Sequence, residues 1–231
     1  MNPALAYELA KICAEVNDGH SLSLECGNVA CRVLMPDSIE MPRGVPEGAA
    51  LVVFAGSNDF WDWIKNVSIL KKGFPPYGMV HGGFLDCFLK IQKALDIHMQ
   101  GCRDIAFSGH SQGGAIAILA AAHFYQRGHG VPAVYTFGSP RPGSEQFRDA
   151  YRATGIPTYR VVVDWDGVPR HPDSIEDFHC GKGYFYTSAG KPCKEQPAPA
   201  WYAPWRWLRN PIKNHIALKS YVPALKKAAG L

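Results

Sequence analysis

Leu5, Leu9, Ile12, Cys13 and Val16 recur at helical spacing behind Asn2-Pro3, so the chain opens with a predicted amphipathic helix. Asn is a favoured N-cap, Pro fits the first helical position, and Asp18-Gly19 supplies a stop. Residues 21–35 alternate apolar and polar with period two, turning near Gly27-Asn28, which predicts a hairpin. Residues 36–48 are rich in Pro and Gly and predict a loop. Residues 49–55 (AALVVFA) are a short continuous apolar run, as expected of a strand buried on both faces. Phe84, Phe88, Ile91 and Leu95 mark a helix over residues 84–99. A short strand over 104–107 and a helix of small residues over 113–127 follow, then two β-rich runs at 131–137 and 157–163. Residues 216–229 are helical in composition despite Pro223. Strand and helix alternate, which predicts a single α/β domain over residues 1–231 with a mostly parallel central sheet flanked by helices. Residues 170–214, dense in Pro, Gly and aromatics, are expected to form an excursion or cap. No internal repeat is visible.

The segment GHSQG at 109–113 lies between the β-rich run DIAFS and the Ala-rich helix. That context gives a G-x-S-x-G its meaning: a serine on a sharp strand-to-helix turn projects its hydroxyl into a cleft. Gly109, Gly113 and Gly114 keep side chains out of the crowded turn, and the helix N-terminus favours developing negative charge. A serine nucleophile needs a base, and the base an orienting acid. In α/β-hydrolases these follow in the order Ser, acid, His. The acids at a plausible strand end are Asp164 and Asp166, and the late histidines are His171, His179 and His215. Asp166 precedes the turn Gly167-Val168-Pro169, and His215 stands just before the final helix.

Six ordered blocks resemble the class 3 lipases, the family of the fungal triacylglycerol lipases, across about residues 50–220. FAGSNDFWDWIKN (54–66) resembles the family's oxyanion strand and the helix after it. VHGGF (80–84), SGHSQGGAIA (108–117), YTFGSPRPG (135–143) and RVVVDWDGVPRHP (160–172) match further family segments, and His215 falls where the family's terminal histidine does. The resemblance implies an α/β-hydrolase fold with a lid or cap region over the site. It assigns Ser111 as nucleophile, Asp166 rather than Asp164 as acid, and His215 as base. Ser57 resembles the oxyanion-hole residue, and Gln112 would give the second N–H. Ala55, Gln112 and Asn214 depart from the family's usual Arg, Leu and acid at those places. His81 and His110 read as packing and hydrogen-bonding neighbours, and His179 as a structural residue. The implied activity is serine-dependent hydrolysis of carboxylic esters, acylglycerols first, with no cofactor and no metal. Within that class a phospholipase A1 and a feruloyl-type or short-chain esterase stay open. So do acyl transfer to another alcohol and, from a different class, a catalytically silent scaffold that binds a membrane or a partner.

Substrate contact is expected around residues 58–71, a candidate lid helix in which Phe60, Trp63, Ile64 and Val67 share one face and Trp61 lies beside them. A fixed amphipathic helix on the sheet is the alternative. Trp201, Trp205 and Trp207, interleaved with Arg206, Arg209 and Lys213, suit a lipid–water interface, or else an aromatic cap on the core. Charge sharpens this. The chain is +4 overall, but residues 201–231 hold six basic and no acidic side chains, leaving the first 200 residues at −2. The partners expected are a lipid or small ester and peripheral contact with a lipid surface. So mild a net charge gives no footprint for nucleic acid. A 47% hydrophobic composition argues against disorder, and no apolar run is long enough to span a bilayer. Seven cysteines without a C-x-x-C pair argue against a zinc site or disulfide framework, although Cys26/Cys31 and Cys180/Cys193 could each close a short loop. Tyr7, Glu8, Lys11 and Glu15 interrupt any apolar export signal, so the default expectation is cytoplasmic, with export by another route left open.

Overall fold

A computed structural model of the chain describes residues 1–16, 24–26, 29–36, 38, 40–56, 70–172, 177–195, 215 and 217–231. Helix α1 (Pro3–Glu15) leads into strands β1 (Leu24–Cys26), β2 (Val29–Leu34), β3 (Ala50–Phe54), β4 (Lys71–Gly73) and β5 (Met79–His81). Helix α2 (Gly82–His98), β6 (Ile105–His110), α3 (Gln112–Gln126), β7 (Val134–Phe137), β8 (Gly143–Ser144) and α4 (Glu145–Ala153) follow. The rest comprises β9 (Thr158–Val163), β10 (Asp177–Phe178), β11 (Lys182–Tyr186), β12 (Pro192–Cys193) and the closing helix α5 (Val222–Ala228).

The main sheet has the order β1-β2-β3-β6-β7-β9-β11-β12. Its five inner strands, β3, β6, β7, β9 and β11, run parallel. The β1–β2 hairpin and β12 add antiparallel edges. The apolar run of β3 is explained by its two faces. Ala50, Val52 and Phe54 enter one core, with residues of α2 and α3, while Leu51, Val53 and Ala55 enter the other, with α1 and α5. Helix α1 starts as predicted: Asn2 Oδ1 accepts from the N–H groups of Ala4 (3.0 Å) and Leu5 (3.3 Å), with Pro3 in the first turn. Leu5, Leu9, Ile12 and Cys13 are buried against the sheet. The small side chains of α3 let it lie close over β6, and it is buried almost all round.

Three features depart from the sequence reading. Residues 170–214, read as an excursion, include β11, which pairs parallel with β9 inside the main sheet, and β12 beyond it. A second, antiparallel sheet, β10-β8-β5-β4, packs near α2 and α4. Its strands of two or three residues are too short to carry a period. The final helix is broken in character. Ala217–Tyr221 form a π turn before α5, because Pro223 has no N–H to return to the preceding turn. Neither short cysteine loop is closed: Cys31, Cys180 and Cys193 carry free thiols. Among the described residues no helix is long and apolar enough to cross a membrane, and no group of three His, Cys, Asp or Glu side chains could hold a metal.

The register aligns His110 of β6 with Phe137 of β7, and Phe137 with Val161 of β9. The carboxyl ends of these neighbours therefore meet at one sheet edge, where parallel α/β sheets place their sites.

Candidate active site

Strand β6 runs to His110, three residues past its predicted end, and delivers Ser111 directly into α3. Ser111 is held at φ +56°, ψ −130°, a conformation an L-residue adopts only when its surroundings impose it. Its N–H donates to the Phe137 carbonyl (2.9 Å), and its own carbonyl accepts from Gly114 (2.9 Å). The flanking glycines are steric necessities. A Cβ on Gly109 would stand 2.2 Å from the Gly113 oxygen, and one on Gly113 would stand 2.4 Å from the Ala55 oxygen.

The structure brings Ser111, Asp166 and His215 together, residues separated by 104 and 49 positions along the chain. His215 Nδ1 lies 2.9 Å from Asp166 Oδ2, and Nε2 lies 2.7 Å from Ser111 Oγ. The carboxylate accepts from Nδ1–H, so Nε2 presents its lone pair as acceptor to the serine hydroxyl. All three side chains are buried, Asp166 completely. Its Oδ1 accepts from the Val168 N–H (3.0 Å), which fixes the acid on the turn that follows β9. Asp164, the alternative acid, points elsewhere: its Oδ1 accepts from the Ser188 N–H at 3.0 Å. Of the other late histidines, His179 donates from Nε2 to the Pro169 carbonyl at 2.6 Å, tying down the acid loop. Burial, aided by the Arg160 charge, lowers its pKa to about 3. The carbonyl of His171 accepts from the Arg141 N–H.

Two residues shape the site beyond what the sequence singled out. The Tyr221 hydroxyl donates to Asp166 Oδ2 (2.5 Å), so that oxygen carries two donors. Burial first, then the neighbouring carboxylate, pushes the Tyr221 phenol well above its ordinary range, so it remains a donor. Its sequence surroundings signal only a C-terminal helix. Gly138, at φ +59°, leaves open the space where its Cβ would otherwise meet Asp166, Tyr221 and His215. His110 and His81, read as neighbours, are both buried. His110 stacks its ring 4.8 Å from that of His215, while His81 lies 4.5 Å from Phe84.

Gln112 opens α3, whose first N–H groups have no carbonyl one turn back to accept them. Its side-chain amide donates to Cys87 Sγ at 3.4 Å, which anchors the residue. Ser57 lies outside the described residues. The chain leading to it is described as far as Gly56, where a Cβ would stand 2.9 Å from Ser111 Cβ. The lid residues Phe60, Trp61, Trp63, Ile64 and Val67, and the interface residues Trp201, Trp205 and Trp207, also lie outside the described residues.

Comparison with known proteins places this geometry in context. The model of the family Lipase (class 3) matches residues 51–175, more than half of the chain. A lipase of Rhizomucor miehei is 35% identical over 158 residues, covering 63% of this chain and 44% of that protein. A secreted mono- and diacylglycerol lipase of Fusarium solani is 31% identical over 147 residues, covering 60% of this chain and 42% of that protein. The chain thus spans less than half the length of these relatives. The solved structure of the Rhizomucor miehei triacylglyceride lipase superposes with a TM-score of 0.70 at 23% identity, over 95% of each chain. That likeness establishes the α/β-hydrolase fold.

Proposed function

This chain belongs to the class 3 lipase family, and from that premise we propose that it hydrolyses carboxylic esters of lipids, acylglycerols first, through Ser111, His215 and Asp166. The observation that carries this reading is Ser111 Oγ standing 2.7 Å from His215 Nε2 on a strained elbow, with Asp166 behind the imidazole. His215 takes the hydroxyl proton as Oγ attacks the ester carbonyl carbon. The tetrahedral oxyanion would be held by the Gln112 N–H and, as the family resemblance implies, by that of Ser57. His215 then gives its proton to the leaving alcohol oxygen as the C–O bond breaks, leaving an acyl-Ser111 ester. Water repeats the sequence and releases the acid. Asp166 keeps Nδ1 protonated and offsets the charge of the imidazolium. Each oxyanion donor is worth about 100–1,000-fold in kcat.

Phe60, Trp61, Trp63, Ile64 and Val67 would contact the acyl chain, and the Trp201–Trp205–Trp207 segment would meet the lipid surface. A second reading, phospholipid esters, is favoured by the six basic and no acidic side chains of residues 201–231, which suit an anionic surface. The silent-scaffold alternative is disfavoured by the intact relay. The test is hydrolysis of a chain-length series of p-nitrophenyl esters, with emulsified triacylglycerol and phospholipid in parallel. Ser111→Ala is expected to abolish turnover on all of them. A variant that hydrolyses like the parent sinks the mechanism.

A further inference from the structure

We infer that His110 is a positioning residue for this relay, holding the main chain of His215 and thereby setting where the base stands relative to the nucleophile. The inference rests on the ester-hydrolase reading above. Ser111 follows β6, a strand paired on both sides, so the nucleophile has a rigid support. His215 stands in a turn, outside any strand or helix ladder. The 2.7 Å contact between Oγ and Nε2 therefore depends on what ties that turn to β6. His110, the last residue of β6, supplies such a tie. Its Nε2 lies 2.7 Å from the His215 carbonyl oxygen, and the two rings lie 4.8 Å apart with a 30° tilt. Two consecutive residues thus grip one histidine at both ends, Ser111 at the imidazole and His110 at the backbone.

The protonation of the His110 ring follows from its partner. A carbonyl only accepts, so Nε2 of His110 carries the hydrogen. Tyr221 closes the other side of the ring edge-on at 5.7 Å. Burial first, then the neighbouring His215, lowers the His110 pKa to about 3, so the ring is neutral at any pH where an imidazole base works. No second cation then stands beside His215 as it takes up the serine proton. The anchor has to be a neutral donor of this length, and a buried histidine provides one.

Three variants separate the hydrogen bond from simple bulk. His110→Gln lets its amide nitrogen reach the place of Nε2 and keeps the donor. His110→Asn is too short to reach the carbonyl. His110→Leu keeps the volume and loses the donor. The parent, these variants and Ser111→Ala are compared by steady-state hydrolysis of p-nitrophenyl butyrate and by the rate of phosphonylation with a fluorophosphonate. Thermal unfolding reports whether each is folded. Asn and Leu are expected to lose about 10–100-fold in kcat and in phosphonylation rate, with KM changed by no more than about twofold and Gln within about fivefold of the parent. If the Leu variant does not fold, the Gln–Asn comparison decides. An Asn variant as fast as the parent, or a folded Gln variant no faster than Asn, overturns the positioning role. A parent phosphonylated no faster than Ser111→Ala overturns the hydrolase reading itself, and this inference with it.

Discussion

Replacing Gly138 with alanine sets one methyl carbon among the members of the relay. On the observed backbone that carbon stands 2.8 Å from Asp166 Oδ2, 2.8 Å from the Tyr221 hydroxyl oxygen and 3.0 Å from His215 Cε1. Ordinary van der Waals contact for a Cβ begins at 3.4 Å, so each of these two oxygens and one carbon must give way by about half an ångström. Asp166 yields poorly. It is wholly buried and accepts from Val168, His215 and Tyr221. The φ of +59° adds about 1–2 kcal/mol for a residue with a Cβ. A carboxylate pushed aside takes the Nδ1–H with it and moves Nε2 away from Ser111 Oγ. Misplacement of a reacting group by about 1 Å is worth about 100-fold in rate, so half that shift corresponds to about 10-fold or more. Gly138→Ala is therefore expected to lower kcat by about 10–100-fold, a barrier increase of about 1.4–2.8 kcal/mol. Its urea midpoint should fall as well. The assay is kcat and KM on one p-nitrophenyl ester, with urea unfolding on the same preparation. A folded variant whose kcat stays within about threefold of the parent refutes the reasoning, because the site would then have room the structure denies it.

Acid should destabilise the fold through its buried imidazoles. In the folded state burial lowers His110 to about 3, while the unfolded chain titrates near its ordinary 6.5, so below that value the unfolded state binds the extra proton. The stability is fully present above pH 6.5 and is lost progressively as pH falls toward 3, by about 2 kcal/mol from His110 alone at pH 5. His179 acts in the same direction. Urea midpoints at pH 7.5 and pH 5.0 check this, and equal midpoints count against a neutral buried His110. Tyr221→Phe removes one donor from Asp166 Oδ2 and should reduce stability by about 1.5–3 kcal/mol, the range for a hydrogen bond to a charged group. It should also lower kcat with little effect on KM, and unchanged unfolding together with unchanged kcat would mean the hydroxyl does not serve the carboxylate.

The elbow was legible because its constraints are local. Gly109, Ser111 and Gly113 lie within five residues, and the strand and helix that give them meaning flank them directly. The capped first helix and the doubly buried β3 were legible for the same reason: caps and burial periods are written in consecutive positions. Residues 177–193 were not. β11 owes its place in the main sheet to pairing with β9, and the two-residue strands β8 and β10 of the small sheet exist only by pairing with each other and, for β8, with β5.

What the chain determines by itself, then, is the alternation of strand and helix, the serine at its strained turn, and the set of acids and histidines that could serve it. The family resemblance singles out Asp166 and His215 from that set, and tertiary structure supplies the contacts that make the selection physical. It puts Asp166 rather than Asp164 at the imidazole, although both follow β9 within three residues. It brings the Tyr221 hydroxyl to the same carboxylate across 55 residues and the His110 ring to the His215 backbone across 105. Short-range pattern reports the backbone conformation that a few neighbouring side chains prefer. Which donor meets which acceptor across so many residues is decided by how the sheet register and the packing of the last helix bring distant chain ends together, and no local pattern carries that information.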